Sequence, residues 1–252
     1  MRQPSISVFT VFSVAKPLRR LTRLRGVEWP SRRRALTYAA MTLAKICGLS
    51  TPETVAAALA GKAAYLGFMF FEKSPRNVAP EGAARLAAPA RGNAKIVAVV
   101  VDPSDALLRE LTETLRPDFI QLHGRETPAR VREAAMRTGA GTIKVISIGE
   151  ERDLAKLAEF EAVADHLMLD AKASPGADRP GGHGTPFDWS LTYGRKFARP
   201  WFLAGGLDPY NVVEAVRLSG APIVDVSSGV ERGAGLKDPA LIEAFLRAAA
   251  RA

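Results

Sequence analysis

From Met41 onward the chain alternates between short apolar runs and longer amphipathic segments. Runs of strand length recur at Leu43–Cys47, Tyr65–Phe70, Ile96–Val101, Phe119–Leu122, Ile143–Ile148, His166–Asp170, Trp201–Ala204 and Ile223–Val226. Between and after them lie segments of helical spacing, rich in Ala, Leu, Glu and Arg: Pro52–Ala60, Pro80–Ala88, Ser104–Leu115, Pro128–Thr138, Glu151–Phe160, Phe187–Tyr193, Pro209–Leu218 and Pro239–Ala250. Proline at or near the first helical position, as at Pro52, Pro128, Pro209 and Pro239, suits a residue with no N–H to satisfy and a φ already set for the helix. The apolar runs show little polar alternation, as expected of strands covered by protein on both faces. Eight strand-then-helix units imply parallel strands with helical crossovers. In about 210 residues they predict a closed (β/α)8 (TIM) barrel, an α/β fold, in place of an open doubly wound sheet. No G-x-G-x-x-G follows the first strand, which weighs against dinucleotide binding.

Composition changes this picture only at the N-terminus. The chain of 252 residues carries a formal charge of +9, and residues before Met41 hold nine basic residues against the single acid Glu28. The folded body is therefore nearly neutral, and the charge belongs to an appendage. Residues 1–40 are expected to be a basic, disordered extension or sequence upstream of a true start at Met41, with residues 41–252 forming the catalytic barrel. An Arg-rich, acid-poor leader also has the character of an organelle transit peptide. Its apolar patch, Ile6 to Ala15, is too short to span a membrane. One cysteine rules out an internal disulfide and points to a reducing, cytoplasmic setting.

In a (β/α)8 barrel, chemistry gathers where the strands end. Those ends are polar here: Lys45 and Cys47, Ser74 and Arg76, Asp102, Gln121 and His123, Ser147, Asp170, Gly205 and Gly206, and Asp225, Ser227 and Ser228. The glycine-rich LAGGLDPYNV and VDVSSGVERGAG follow the seventh and eighth strands, where backbone N–H groups commonly cradle a phosphate. Gly205, Gly206, Ser228 and Gly229 are the candidates for that cradle. Arg76 could clamp a carboxylate with both arms of its guanidinium, and His123 stands where it could touch a ligand. Cys47 could act as a base if nearby positive charge, such as Lys45, favours its thiolate; Asp170 could act as an acid if a shielded pocket raises its pKa. Against each stands a plainer reading: a buried thiol, a loop-capping aspartate, a solvated arginine. One acid and one base around a phosphorylated, carboxylate-bearing molecule suggest a proton-shuttling isomerisation.

The motifs KICG, GFMFFEKSPR, QLHG, LMLD with GGHGTPFDW, LAGGLDPYNV, and VDVSSGVE with a trailing KDP, in that order, closely resemble the phosphoribosylanthranilate isomerases of tryptophan biosynthesis. That resemblance implies an Amadori rearrangement of N-(5-phosphoribosyl)anthranilate, with Asp170 as general acid and Cys47 as general base. It also implies that Arg76 holds the anthranilate carboxylate with His123 close by, and that the glycine loops hold the phosphate. Only protons move, so neither metal nor cofactor is implied; the partner is a small phosphosugar, and the chain would be a monomer or homodimer. Three positions depart from the family pattern: Ala171 after the acid, His183 in the GG-x-G slot, and Ala234 in place of a proline. The loop Lys172 to Pro180 reads as long and mobile. Two rival readings stay open. Another sugar-phosphate barrel, such as an indole-glycerol-phosphate synthase or a ribulose-phosphate epimerase, would use the same loops without needing Cys47 paired to Asp170. A protein binding nucleic acid or membrane through its basic arm would lose that binding with residues 1–40 and with added salt; the near-neutral body argues against it.

Overall fold

The computed structural model describes residues 41–172 and 186–252. Eight parallel strands run in sequence order around a closed barrel: β1 (Leu43–Cys47), β2 (Tyr65–Phe70), β3 (Lys95–Val100), β4 (Phe119–Leu122), β5 (Gly141–Ile148), β6 (His166–Ala171), β7 (Trp201–Leu203) and β8 (Ile223–Val226). Closure is made by β8 against β1, with Leu43 opposite Ile223 and Ile46 opposite Val226. The expected fold is therefore the observed one. The extension, the Lys172–Pro180 loop beyond Lys172, and His183 lie outside the described residues.

Successive residues of each strand face opposite sides, and both sides are apolar. Tyr65, Val97, Val99, Ile143, Val145, Met168 and Phe202 fill the barrel interior. Their neighbours Leu66, Phe68, Ile96, Ala98, Ile146 and Leu167 pack outward under the helices. A period of two that separates two buried faces leaves no polar alternation, which is why each strand reads as an unbroken apolar run. At the N-terminal end, Tyr65, Phe119, His166 and Phe202 stack edge to face, with ring centroids 5.0 Å apart for Tyr65–Phe202 and 4.9 Å for Phe119–His166. These rings plug the floor of the barrel.

The crossovers form where the proline and cap signals lie: α1 (Pro52–Ala60), α2 (Pro80–Ala87), α3 (Asp105–Thr114), α4 (Pro128–Thr138), α5 (Leu157–Glu161), α6 (Val212–Ser219) and α7 (Pro239–Ala249). Side chains of Thr51, Ser104, Thr127 and Asp238 cap four of them. Three crossovers differ from expectation. The fifth opens as a 3₁₀ segment, Glu151–Lys156, because Asp153 turns back to accept the N–H groups of Gly149 and Glu150. Phe187–Tyr193, expected as a helix, holds a single 3₁₀ turn, Trp189–Thr192, capped by Asp188 and stopped at Gly194. In the seventh crossover, α6 starts at Val212 and not Pro209, since Asp208 accepts from the N–H groups of Tyr210 and Asn211 and holds that stretch as a turn. After β8 an unpredicted hairpin, β9 (Glu231–Gly233) and β10 (Leu236–Lys237), folds over the C-terminal rim. No helix among the described residues is long and apolar enough to cross a membrane.

Candidate active site

A cavity opens at the C-terminal mouth of the barrel, opposite the aromatic floor. Cys47, Arg76, His123, Asp170, Gly205, Gly206 and Ser228 all line it, so residues separated by up to 181 positions meet in one space. Ser74, Gln121, Asp225 and Ser227 line it as well. Asp102 and Ser147 do not: Asp102 turns aside to accept the Arg125 N–H. Gly229 is not among the lining residues but adjoins Ser228, which is. A Cβ on Gly229 would sit 1.9 Å from the Leu207 carbonyl oxygen, so the missing side chain is what lets the loops after β7 and β8 touch.

Cys47 ends β1 with its side chain inside the barrel. Beneath it Lys45 is fully buried, its Nζ 2.7 Å from Oδ1 of Asp225 across the β1–β8 seam. Burial pulls Lys45 toward its neutral form, but Asp225 and the neighbouring thiol more than offset this and leave its pKa above the ordinary lysine value. Burial pushes the Cys47 thiol above its ordinary pKa. Lys45 pulls it back down, Asp225 adds to the rise, and Lys237 exerts a smaller downward pull. A thiol held in this way is a strong base once its proton is gone, and the ammonium beside it is the group that favours losing it.

Asp170 ends the inward row of β6, 5% exposed. His123 Nε2 stands 3.1 Å from its Oδ2, off the line of a hydrogen bond, and finds no other partner among the described residues. Gly205 is what gives the carboxylate this place. Its φ is +86°, and a Cβ would fall 2.4 Å from the Ala171 backbone nitrogen and 2.9 Å from Asp170 Oδ1. A glycine read from the sequence as part of a phosphate loop therefore also makes room for the acid.

The rest of that loop is braced from outside. Asn211 donates through Nδ2 to the Gly206 carbonyl at 2.8 Å, and its Oδ1 accepts the Asp208 N–H at 2.9 Å. Among the described residues, no acceptor is found for the backbone N–H groups of Gly205, Gly206, Ser228 or Gly229. Free N–H groups on adjoining loops can receive the oxygens of a phosphate. The Gln121 Oε1 is likewise buried without a partner, an acceptor facing a cavity that a ligand's hydroxyl or N–H could satisfy.

Arg76 is placed as expected but engaged differently. Its Nε and Nη2 donate to Oε1 and Oε2 of Glu231, at 2.6 and 2.7 Å, so the forked edge expected to face a ligand is already matched to a protein carboxylate. Both Nη1 hydrogens and the second Nη2 hydrogen find no acceptor among the described residues, so this other end of the guanidinium is the part that could still meet a carboxylate, with one arm or two. Lys237 pairs with the same Glu231 and donates to Ser227 O and Oγ at 3.0 and 3.3 Å. Glu231 and Lys237 belong to the quoted VDVSSGVE and KDP motifs, but linear spacing says nothing of a hairpin that returns to a residue 155 positions earlier. Sequence reading also missed Glu126 and Lys144, buried and 2.7 Å apart. Glu126 accepts the N–H groups of Asp102 and Gly124, tying down the turn that carries His123.

Among the described residues, no group of three or more His, Cys, Asp or Glu side chains is arranged to hold a metal ion. A closed parallel barrel with a buried polar cavity at the strand ends places the chain among the (β/α)8-barrel enzymes. Residues 44–248 match the family of N-(5'phosphoribosyl)anthranilate (PRA) isomerase. The N-(5'-phosphoribosyl)anthranilate isomerase of Caulobacter vibrioides is 63% identical over 210 residues, covering 83% of this chain and 96% of its own length. Phosphoribosyl anthranilate isomerase from Thermotoga maritima superimposes with a TM-score of 0.75 at 32% identity, over 83% of this chain and 98% of that one. A phosphoribosyl anthranilate isomerase crystallised with reduced 1-(o-carboxyphenylamino)-1-deoxyribulose 5-phosphate gives a TM-score of 0.72 at 30% identity, with the same coverage of both chains. The chain belongs to the phosphoribosylanthranilate isomerase family, the isomerases of tryptophan biosynthesis.

Proposed function

We infer that the barrel converts N-(5-phosphoribosyl)anthranilate to 1-(2-carboxyphenylamino)-1-deoxyribulose 5-phosphate, with Cys47 and Asp170 as its base and acid. The observation that carries this is that both side chains, 4% and 5% exposed, line one cavity. Asp170 gives a proton to the furanose ring oxygen, the C1–O bond breaks, and the amine lone pair forms a protonated Schiff base. Cys47 then takes the proton from C2, leaving an enolamine that tautomerises to the ketone. The Schiff base is a cation formed next to the thiol. Together with Lys45 it favours the thiolate at the step that needs it, and offsets a burial that otherwise keeps the proton on.

The N–H groups of Gly205, Gly206, Ser228 and Gly229, which find no acceptor among the described residues, suit the phosphate, and the Nη1 side of Arg76 suits the anthranilate carboxylate, with His123 beside Asp170. Binding through groups remote from C1 and C2 holds the reacting carbons between acid and base. The reaction is placed in the cytoplasm, carried out by a monomer or homodimer, with residues 41–252 as the catalytic unit and 1–40 as an appendage. Adding the full chain to phosphoribosylanthranilate should abolish the substrate's fluorescence. Cys47→Ala and Asp170→Ala should each slow that loss by about 10²–10⁴-fold, the usual contribution of a positioned acid or base. A Cys47→Ala enzyme that turns over like wild type would remove the base assignment.

A further inference from the structure

Two cations are buried at the edge of the cavity and share one carboxylate. Arg76 is 5% exposed, Lys237 6%, and Glu231 lies between them. Glu231 Oε1 accepts from Arg76 Nε and from Lys237 Nζ; Oε2 accepts from Arg76 Nη2 and from the Gly235 N–H at 3.1 Å. Every lone pair of the carboxylate that geometry offers is spent on holding these groups in place. Although burial pushes the Glu231 carboxyl up, Arg76 and Lys237 hold its pKa below the ordinary value, so it is charged. Burial draws Lys237 below the ordinary lysine value, with Glu231 opposing, and with both cations charged the three side chains carry one net positive charge out of water. Only Arg76 of the three reaches the cavity wall.

A buried positive surplus is costly unless an anion meets it, and the open side of Arg76 is the place where one can. We propose that Glu231 and Lys237 are positioning residues that turn Arg76 end-on into the cavity and make it select for a ring carboxylate on the bound aminosugar. The proposal rests on the isomerase reading above and on Arg76 as the carboxylate's partner. Glu231 occupies the Nε–Nη2 edge, which fixes the guanidinium plane and leaves the opposite edge, the Nη1 hydrogens with the second Nη2 hydrogen, as the one available to a ligand. Lys237 fixes Glu231 in turn and anchors it to Ser227, whose Oγ donates to the Cys47 carbonyl at 3.3 Å. The carboxylate contact and the base are thereby held by one continuous set of hydrogen bonds, at a constant separation that suits one length of substrate.

The test compares two stable ligands on the full chain. One is reduced 1-(o-carboxyphenylamino)-1-deoxyribulose 5-phosphate; the other is the same compound made from aniline, without the ring carboxylate. Dissociation constants are measured by calorimetry for wild type, Glu231→Gln and Glu231→Asp. Wild type should bind the carboxylated ligand at least about tenfold more tightly, as one charge-assisted hydrogen bond provides. Glu231→Gln should lose at least about tenfold on that ligand and less than about twofold on the other. Glu231→Asp keeps the charge but draws the guanidinium back, and should show the same selective loss in smaller measure; it decides the matter if the glutamine variant does not fold. Equal losses on both ligands would make Glu231 mere scaffold, and no loss would make it idle; either overturns the proposal. A wild type that binds both ligands alike would overturn the role of Arg76 itself, a failure distinct from the other two.

Discussion

Adding one methyl group at Gly205 separates what a glycine does for the backbone from what it does for the acid. Gly205→Ala must hold alanine at φ +86°, which costs about 1–2 kcal/mol in the left-handed region. The methyl also falls 2.4 Å from the Ala171 nitrogen and 2.5 Å from its Cβ, contacts that only a shift of β6 can relieve. Overpacking of this kind costs about a further 1–3 kcal/mol. Gly220→Ala is the matched control: its φ is +69°, and nothing lies within 4 Å of the added atom. Urea unfolding should therefore show the control losing about 1–2 kcal/mol and Gly205→Ala roughly 2–5 kcal/mol. Activity should diverge further. The methyl also lies 2.9 Å from Asp170 Oδ1, so relief moves the carboxylate and should lower kcat by about 10²-fold or more, while the control keeps its rate. Equal activity in the two variants would refute the claim that Gly205 seats Asp170.

Three shorter predictions follow from the electrostatics and the domain assignment. Because Cys47 is the only cysteine, iodoacetamide labelling reads its titration alone. Its folded pKa lies above 9.0, so labelling should still be accelerating past pH 9; Lys45→Met should slow labelling at pH 8 by about tenfold or more, and adding Asp225→Asn should restore part of the loss. The stability tied to that neutral thiol is full below pH 9 and is lost as pH rises through the folded value. Burial holds His166 below 6.5 despite Asp165, so the unfolded chain binds the proton first and urea midpoints should fall as pH drops through 6.5. His166→Phe, which keeps the aromatic floor, should flatten that slope. The Met41–Ala252 fragment should match the full chain in phosphoribosylanthranilate turnover, and loss of activity in a folded fragment would give residues 1–40 a catalytic part.

The strands were legible because each is buried on two faces, so composition alone marks them, as at Ile223–Val226. Helices with a proline or a capping hydroxyl at the start were nearly as clear, as at Pro52 and Pro128. Crossovers governed by one side chain's choice of partner were not: Asp153, Asp188 and Asp208 each take backbone N–H groups that a regular helix start would have spent otherwise. In the site, strand ends named the cavity because topology fixes where they meet. The pairing of Arg76 with Glu231 was invisible, since it depends on how a hairpin folds over the rim and not on any residue near Arg76. The double duty of Gly205 was hidden for the same reason, because the neighbour that demands it belongs to another strand.

Closure of the barrel by β8 against β1 has a consequence for synthesis on the ribosome. Cys47 is made among the first residues of the barrel, yet Lys45 finds Asp225, and the Cys47 carbonyl finds Ser227, only 180 residues later. A nascent chain with seven strands would carry Lys45 without its carboxylate and the thiol without its wall. The cavity would exist only when the last strand leaves the exit tunnel and completes the ring, so the order of translation leaves the thiol outside any pocket until the vessel around it is whole.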